Sequence, residues 1–460
     1  MAAIITNKFR IHNAEQFYES FGEAAPSTYY LFVGRPQAFS TATGGGTDIS
    51  VPTPVDNIED EFMYWRDTLA AKKVASTDIS YVVPRVTWTA GDTYARYRHD
   101  YSSTNQAYGS KNTLWDSAFY VMTSDYKVYK CINNDGATAV TAGNEPSSTS
   151  NTEFSTGDNY VWKYMYTMTT SQVQNFLSTD FMPVATDSTV SAAAVDGEIR
   201  HLVIDTAGAG YTNGTYTSVP IRGDGASGAA TITISGNAVT GAVVTTPGTV
   251  YRHAYVNVDA IPSVGSPNTS AVVTPILGPK EGHGNDALKE LGAFYVMLNT
   301  SLSGAEGSGD FIVDNDFRRV GLVRNPYNYG TTTVSSASTL GALRSVTFAA
   351  SPTPGTFVVD EVITGGTSGA KGEVVAWDST NRILKYIQTE WGGIDSDKNI
   401  TAFAGSEVVT GGTSSATGTM SAVNNPEIDY HSGDIMYVEN RAPIVRASDQ
   451  TENIKLVIEF

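Results

Sequence analysis

The stretch "EGHGNDALKE", residues 281–290, places His283 between two glycines with Asp286 and Glu290 close behind. A histidine beside carboxylates is the residue set of a general base or a metal ligand. The spacing argues for something plainer. It is not the His-Glu-x-x-His of a zinc hydrolase, and Asn285 or Asp286 stands where a helix N-cap would. A second set, "DNDFRRVGLV", offers Asp314, Asp316, Arg318 and Arg319. Two acids at i and i+2 begin a calcium loop, but the following glycine and the twelfth-position glutamate are missing. Glycosidase chemistry needs carboxylates on both sides of a substrate, a separation that neighbouring positions do not establish. Charge pairing or an interchain contact is the expectation. A third set, "RYRHDY" at 96–101, gathers Arg96, Arg98, His99 and Asp100 among tyrosines. It has the donors to grip a sugar or phosphate, and equally the composition of a protein–protein contact. There is no Walker loop and no Gly-x-Ser-x-Gly elbow. The expected set of catalytic, cofactor-binding and metal-binding residues is therefore empty, and no cofactor is expected.

Cys131 is the only cysteine, which rules out an intrachain disulfide and a cysteine metal cluster within one chain. It follows "YKVYK" in an expected strand, where a small buried hydrophobe is its ordinary role. The chain's end, "HSGDIMYVENRAPIVRASDQTENIKLVIEF", holds Glu439, Asn440, Arg441, Asp449 and Glu452 between two alternating runs. Alternation predicts strands that insert Met436, Tyr437, Ile444, Leu456 and Ile458 into a sheet core. Arg441 with Asp449 or Glu452 is then expected to tie the loop, directly or across an interface. The polar middle reads as a joint, not an active site.

These residues must be held by mostly extended structure. Among 460 residues there are 43 glycines, with many Thr and Ser, which favours turns and short strands. "AIITNKFR" and "TYYLFVGRP" read as strands. Between them Ala14, Phe17, Tyr18 and Phe21 form the stripe of a short helix, with Gly22 as its stop. "NIEDEFMYWRDTLAAKKV" reads as a second helix, acidic at its start and basic at its end. "ISYVVPRVTW" and "NYVWKYMYTM" return to strand, "SAFYVMTSDYKVYKCI" is a hairpin turning near Ser124–Asp125, and "TSQVQNFL" is a short helix. In "ISGNAVTGAVV" the Gly236–Asn237 pair predicts another hairpin. "EVITGGTS" at 361–368 recurs as "EVVTGGTS" at 407–414, and seven of the eight positions are identical.

The expected fold is mainly β: a multilayer, sandwich-like body with a few short helices and two inserted small β modules. Residues 1–200, 278–345 and 425–460 make the principal body. Residues 201–277 make one inserted module, and residues 346–424 make the other, which carries the repeat. The formal charge of −18 disfavours nucleic acid and anionic lipid as partners. "MAAIITNKFR" has neither the pattern of a signal peptide nor that of an anchor, and no run approaches 18 apolar residues. No nucleic acid, no membrane insertion and folding in the cytoplasm are expected.

The last thirty residues closely resemble the carboxyl end of the baseplate wedge proteins of T-even-type contractile phages. The likeness continues in "IITNKFRIHNAEQFYESFG", "YVVPRVTW", "GDNYVWKYMYTM" and "DNDFRRVGLVRNP", in the expected order. It lapses across about 201–277 and 346–424. The resemblance implies a β-rich, non-enzymatic structural subunit of the virion's tail baseplate, assembled in the host cytoplasm. It implies a homodimer bridging other wedge subunits: the long one reaching the periphery, the trimeric fibre-associated baseplate protein, and the inner ones near the sheath. Phe9, Arg10, Pro84, Arg85, Trp88, Trp162, Asn440, Arg441, Pro443 and Asp449 correspond to core or contact positions. The rival reading is a carbohydrate-binding or depolymerising tail protein, suggested by 25 tyrosines, six tryptophans and the small β modules.

Overall fold

The computed structural model describes residues 3–302, 311–312, 315–446 and 452–460. The chain forms two compact units: Met1–Gln16, Ser80–Met297 and Val457–Phe460 make the first, and Phe17–Ile79 with Leu298–Leu456 the second. As expected, strand dominates and the helices are short.

In the second unit, "YYLFVG" is aromatic and β-branched enough to be buried at every position of the strand Tyr29–Gly34. It pairs antiparallel with Thr68–Val74 on one side and Asn315–Arg324 on the other. Thr339–Gly341 and Asp434–Arg446 complete a five-stranded sheet. Phe32 lies opposite Gly321, where a Cβ would fall 2.2 Å from the Phe32 ring, so only glycine lets the two strands pair there. Tyr30, Phe32, Trp65, Ala71, Val323 and Leu340 form the core on this sheet.

Two segments depart from the sequence reading. The helix in residues 57–74 stops at Arg66, and Thr68–Val74 is a strand. Asn57 caps it by accepting from the Asp60 amide at 2.8 Å, and Glu59, Asp60 and Glu61 occupy its first turn. Beyond Asp67 the ladder with Tyr29–Gly34 outweighs the helix propensity of "LAAKK". The opening "AIITNKFR" is not a strand. A helix runs Asn7–Glu19, burying Ile11 and Ala14, while Ile4 and Ile5 stay exposed. Phe17, Phe21 and Tyr29 do cluster, with Phe21 and Tyr29 stacked at 4.3 Å.

The repeat closes a small barrel of six strands from Arg344–Phe348 to Thr417–Asn424. The two copies pair with each other, Ile363 opposite Gly411 and Gly365 opposite Val409. Each copy's glutamate reaches into the other copy's turn. Glu361 accepts from the amides of Thr413 and Ser414 at 3.0 and 2.8 Å and from the Ser414 hydroxyl. Glu407 accepts from Thr367 and Ser368 at 2.9 and 2.8 Å and from the Ser368 hydroxyl. Gly365 and Gly411 leave room for these carboxylates, since a Cβ at either would stand 2.6–2.7 Å from a carboxylate oxygen.

In the first unit, Tyr120–Met122 and Lys127–Asn133 form the expected hairpin, and Val161–Thr167 pairs with the second of these strands. Pro84 and its neighbours pair with Phe181–Pro183. Cys131, Tyr129, Tyr160 and Trp162 share one core; Phe119, Tyr120, Met165 and Tyr166 share another. The strands Gly214–Pro220, Ala229–Ser235 and Ala238–Thr246 form a three-stranded sheet. Its tight turn places both Gly236 and Asn237 at positive φ, 62° and 64°.

Burial raises the carboxyl pKa of Glu361 and Glu407, but the hydrogen bonds outweigh it and hold both below the ordinary value of 4.5. Their stabilisation is present above the unfolded-state value and is lost as pH falls through the lower folded-state value. Glu361→Gln is expected to lower unfolding stability at pH 7 by about 1–3 kcal/mol, and Glu407→Gln by a similar amount. In urea titrations the deficit relative to wild type should shrink at pH 3. A deficit that is unchanged or absent would contradict the reciprocal cap.

Candidate functional site

The strand Asn315–Arg324 carries Arg318 and Arg319 to the middle of the second unit's sheet. Arg319 is buried and donates to the equally buried Asp67 at 2.6 Å and to Asn440 Oδ1 at 3.0 Å, while its guanidinium covers the Tyr64 ring at 4.4 Å. Asn440 in turn donates to the Pro52 carbonyl at 3.0 Å. Arg318 holds both Asp48 oxygens at 3.0 and 3.1 Å, Asp316 at 3.0 Å and the Pro36 carbonyl. Arg35, also buried, lies between the Phe39 and Trp391 rings at 4.5 and 4.4 Å. Burial lowers its pKa to about 10 against the pull of Asp67. Gln37 donates to Glu373, whose carboxyl burial pushes up to about 7. Arg319 spends its bonds on the buried Asp67 and the half-buried Asn440, and Arg318 reaches the partly exposed Asp48 and Asp316. The arrangement fastens strands and loops.

The first unit repeats this design. Lys130 and Lys163 stand opposite each other on paired strands, a like-charge juxtaposition that is destabilising unless neutralised. Glu290 pairs with Lys130, and Glu153 lies 3.6 Å from Lys163 and 3.2 Å from Arg200. Glu290 also accepts from the amides of Gly284 and Asp286 at 2.8 and 3.2 Å. His283 is 1 % exposed and meets Tyr97 edge-on at 4.9 Å. Burial, then Lys130, Lys163 and Arg200, push its pKa far down, so it is neutral at pH 7. Asp286 is the N-cap of the helix Ala287–Leu291. His283, Asp286 and Glu290 thus serve the local fold.

In "RYRHDY", Arg98 binds Asp100 at 2.6 Å and Asp205 at 3.1 Å, and His99 Nδ1 accepts from the Leu277 amide at 3.2 Å. Arg96 forms no ion pair among the described residues and borders a cavity of about 270 Å³ with Tyr101 and Tyr108. A separate cleft of about 450 Å³ is lined by Trp115, Tyr120, Phe294 and Tyr295, with Lys111 and Asp116 at its rim. Arg10 stacks on Phe294 at 3.7 Å. Trp162 is wholly buried, as is the Cys131 thiol, whose pKa burial raises. Among the described residues no group of three His, Cys, Asp or Glu gathers as a metal ion would require, and no helix is long and apolar enough to cross a membrane.

At the carboxyl-terminal joint Glu452 does not take Arg441. Arg441 pairs with Glu439 at 3.4 Å on the surface, whereas Glu452 pairs with the buried Arg446 at 2.8 Å. Asp314 and Asp449 lie outside the described residues. Leu456 is buried, but Met436 is 48 % exposed, and Tyr437, Ile444 and Ile458 are only half-buried. Asp434–Arg446 is the outer strand of its sheet, so its side chains have fewer neighbours to cover them. Sequence reasoning missed Asp67, Lys130, Lys163, Glu153 and Arg35. A signal for the lysines existed: each interrupts a run of aromatic and apolar residues, where an ionised group needs a partner.

Removing Arg319 leaves the Asp67 carboxylate buried without its partner. Arg319→Met is expected to cost about 3–5 kcal/mol in thermal or urea unfolding. Arg324→Met, which breaks the exposed pair with Asp434 at 2.7 Å, should cost less than about 1 kcal/mol. Equal effects would contradict the central place given to Arg319.

A search of curated proteins returns no match for the chain. A sequence model of the family described as "Phage-Gp8: Bacteriophage T4, Gp8" matches residues 3–142 and 405–460. The opening helix, "YVVPRVTW" and the last thirty residues fall inside the match; "GDNYVWKYMYTM" and "DNDFRRVGLVRNP" fall outside it. The match resumes within the barrel, so the second repeat copy is covered and the first is not. Asp67 and Asn440, the two side chains that hold Arg319, both lie in matched segments. Over these two segments the chain is similar to bacteriophage T4 Gp8, a likeness that supports a structural component of a T-even-type phage tail baseplate.

Proposed function

We propose that this subunit is a load-transmitting bridge in the baseplate wedge, working as a homodimer. Its neighbours are the long wedge subunit that reaches the periphery, the trimeric fibre-associated baseplate protein, and the inner wedge subunits near the sheath. The observation that carries the reading is the way distant parts of the chain are locked together. Arg319 is bonded to Asp67 and Asn440, which lie 252 and 121 residues away in sequence. Antiparallel ladders and buried, paired charges resist deformation, so a pull on one face moves the whole unit instead of stretching it. During contraction the subunit moves as a body and exchanges neighbours while its cores persist. It is not an enzyme in this reading.

The aromatic cleft around Trp115 favours a second reading, glycan binding, because the half-buried rings of Trp115 and Tyr295 stand beside polar groups, the kind of surface sugars stack against. Co-expression of wedge subunits with and without this chain separates the two. Omission is expected to leave inner and peripheral subunits unattached in sedimentation. Complete wedges formed without it would contradict the bridge. Saturable binding to host surface polysaccharide, lost in Trp115→Ala, would favour the second reading.

A further inference from the structure

Asp434–Arg446 ends the five-stranded sheet, and its thirteen residues leave one row of backbone N–H and C=O groups without a neighbouring strand among the described residues. The opposite margin of the sheet is only Thr339–Gly341, three residues long. A long open edge invites a strand from another chain.

The sequence of this edge, "DIMYVENRAPIVR", complements itself when reversed. Laid antiparallel on a second copy about a twofold axis through Asn440, Glu439 falls opposite Arg441 of the mate. Val438 then meets Ala442, Tyr437 meets Pro443, Met436 meets Ile444, Ile435 meets Val445, and Asp434 meets Arg446. Glu439 faces Arg441 on both sides of the axis, and apolar residues face each other across 435–438 and 442–445; Arg446 is buried against Glu452, so only its backbone meets Asp434. A slip of one residue destroys the match: Glu439 then faces Ala442 or Asn440, and Arg441 faces Asn440 or Val438.

The exposure pattern agrees with a covered edge. Met436 and Val445 are 48 % and 62 % exposed, and both lie opposite apolar residues in this register. Glu439 and Arg441 pair only with each other among the described ion pairs, so their outer sides are open to a mate. Two copies would place four charges in alternating sign around the axis. Residues 441–443 bulge where Arg318 stands opposite them, and Pro443 lacks an N–H. These features interrupt the ladder on both sides of the axis and limit pairing to one mate, where an unguarded edge would extend into a ribbon. A twofold contact also uses both edges and leaves none open.

We propose that residues 434–446 are the surface on which two copies of this chain pair, antiparallel, with the axis at Asn440. The proposal rests on the homodimer reading and adds its place and register. The test is sedimentation velocity of the full chain across micromolar concentrations. Glu439→Arg alone, or Arg441→Glu alone, sets like charges face to face, and each is expected to weaken the dimer by about tenfold or more. The double variant E439R/R441E restores opposite pairs and should restore the dimer, with circular dichroism unchanged throughout. Single variants that dimerise as wild type does, or a double variant as weak as either single one, would overturn this surface and leave the homodimer standing. A wild-type chain that stays monomeric would remove the homodimer itself, and this surface with it.

Discussion

The second unit depends on one ion pair. Arg319 sits where three strands from the beginning, middle and end of the chain run side by side, opposite Gly34 on one flank and Asn440 on the other. Its partner Asp67 closes the helix Ile58–Arg66, and the Asp67 carbonyl accepts the Arg35 amide at 2.9 Å. A Cβ on Gly34 would press to 2.9 Å against that same carbonyl. Helix end, strand turn and central strand therefore converge on one buried carboxylate. A charge removed from water this completely is tolerable only when its partner and remaining hydrogen bonds are all in place. The requirement fixes the register of the whole sheet, since a one-residue slip would turn Arg319 to the other face.

The same constraint recurs wherever this chain buries charge. Lys130 and Lys163 would repel each other across their ladder if Glu290 and Glu153 were not delivered from other segments. In the barrel, each copy of the repeat supplies a glutamate that the other copy's turn requires, so neither copy is complete alone. These are specific, sequence-distant closures, costly in loop entropy to form and costly to break singly. A body held this way resists local deformation.

Much of the local structure was legible. The hairpin at Tyr120–Asn133, the Gly236–Asn237 turn and the helix Thr170–Phe176 follow from alternation, turn residues and caps that act within a few positions. The mainly β fold and the family likeness were legible too, the latter from words at both ends of the chain. The failures were nonlocal. "LAAKKV" has helix propensity, and only its ladder with Tyr29–Gly34 makes it a strand. The sequence offers Asp449 or Glu452 to Arg441 by nearness along the chain, yet Arg446 is buried beside Phe311 and takes Glu452. Met436 was placed in a core because it alternates, but alternation does not reveal that a strand lies at the edge of its sheet. The candidate chemical residues were recognised as unlike any catalytic pattern, whereas their partners, Asp67, Asp48, Glu153 and Asp205, carried no local mark.

A baseplate subunit built from internally locked units would have a direct signature in the assembled tail. The most direct measurement is an electron cryomicroscopy reconstruction of the tail before and after contraction. The bridging account predicts a pair of these chains in each wedge, touching both inner and peripheral subunits. Each unit's interior, including the Arg319–Asp67 contact, should superpose between the two states while its neighbours change. A chain confined to a host-binding fibre tip, or units that unravel internally on contraction, would contradict it.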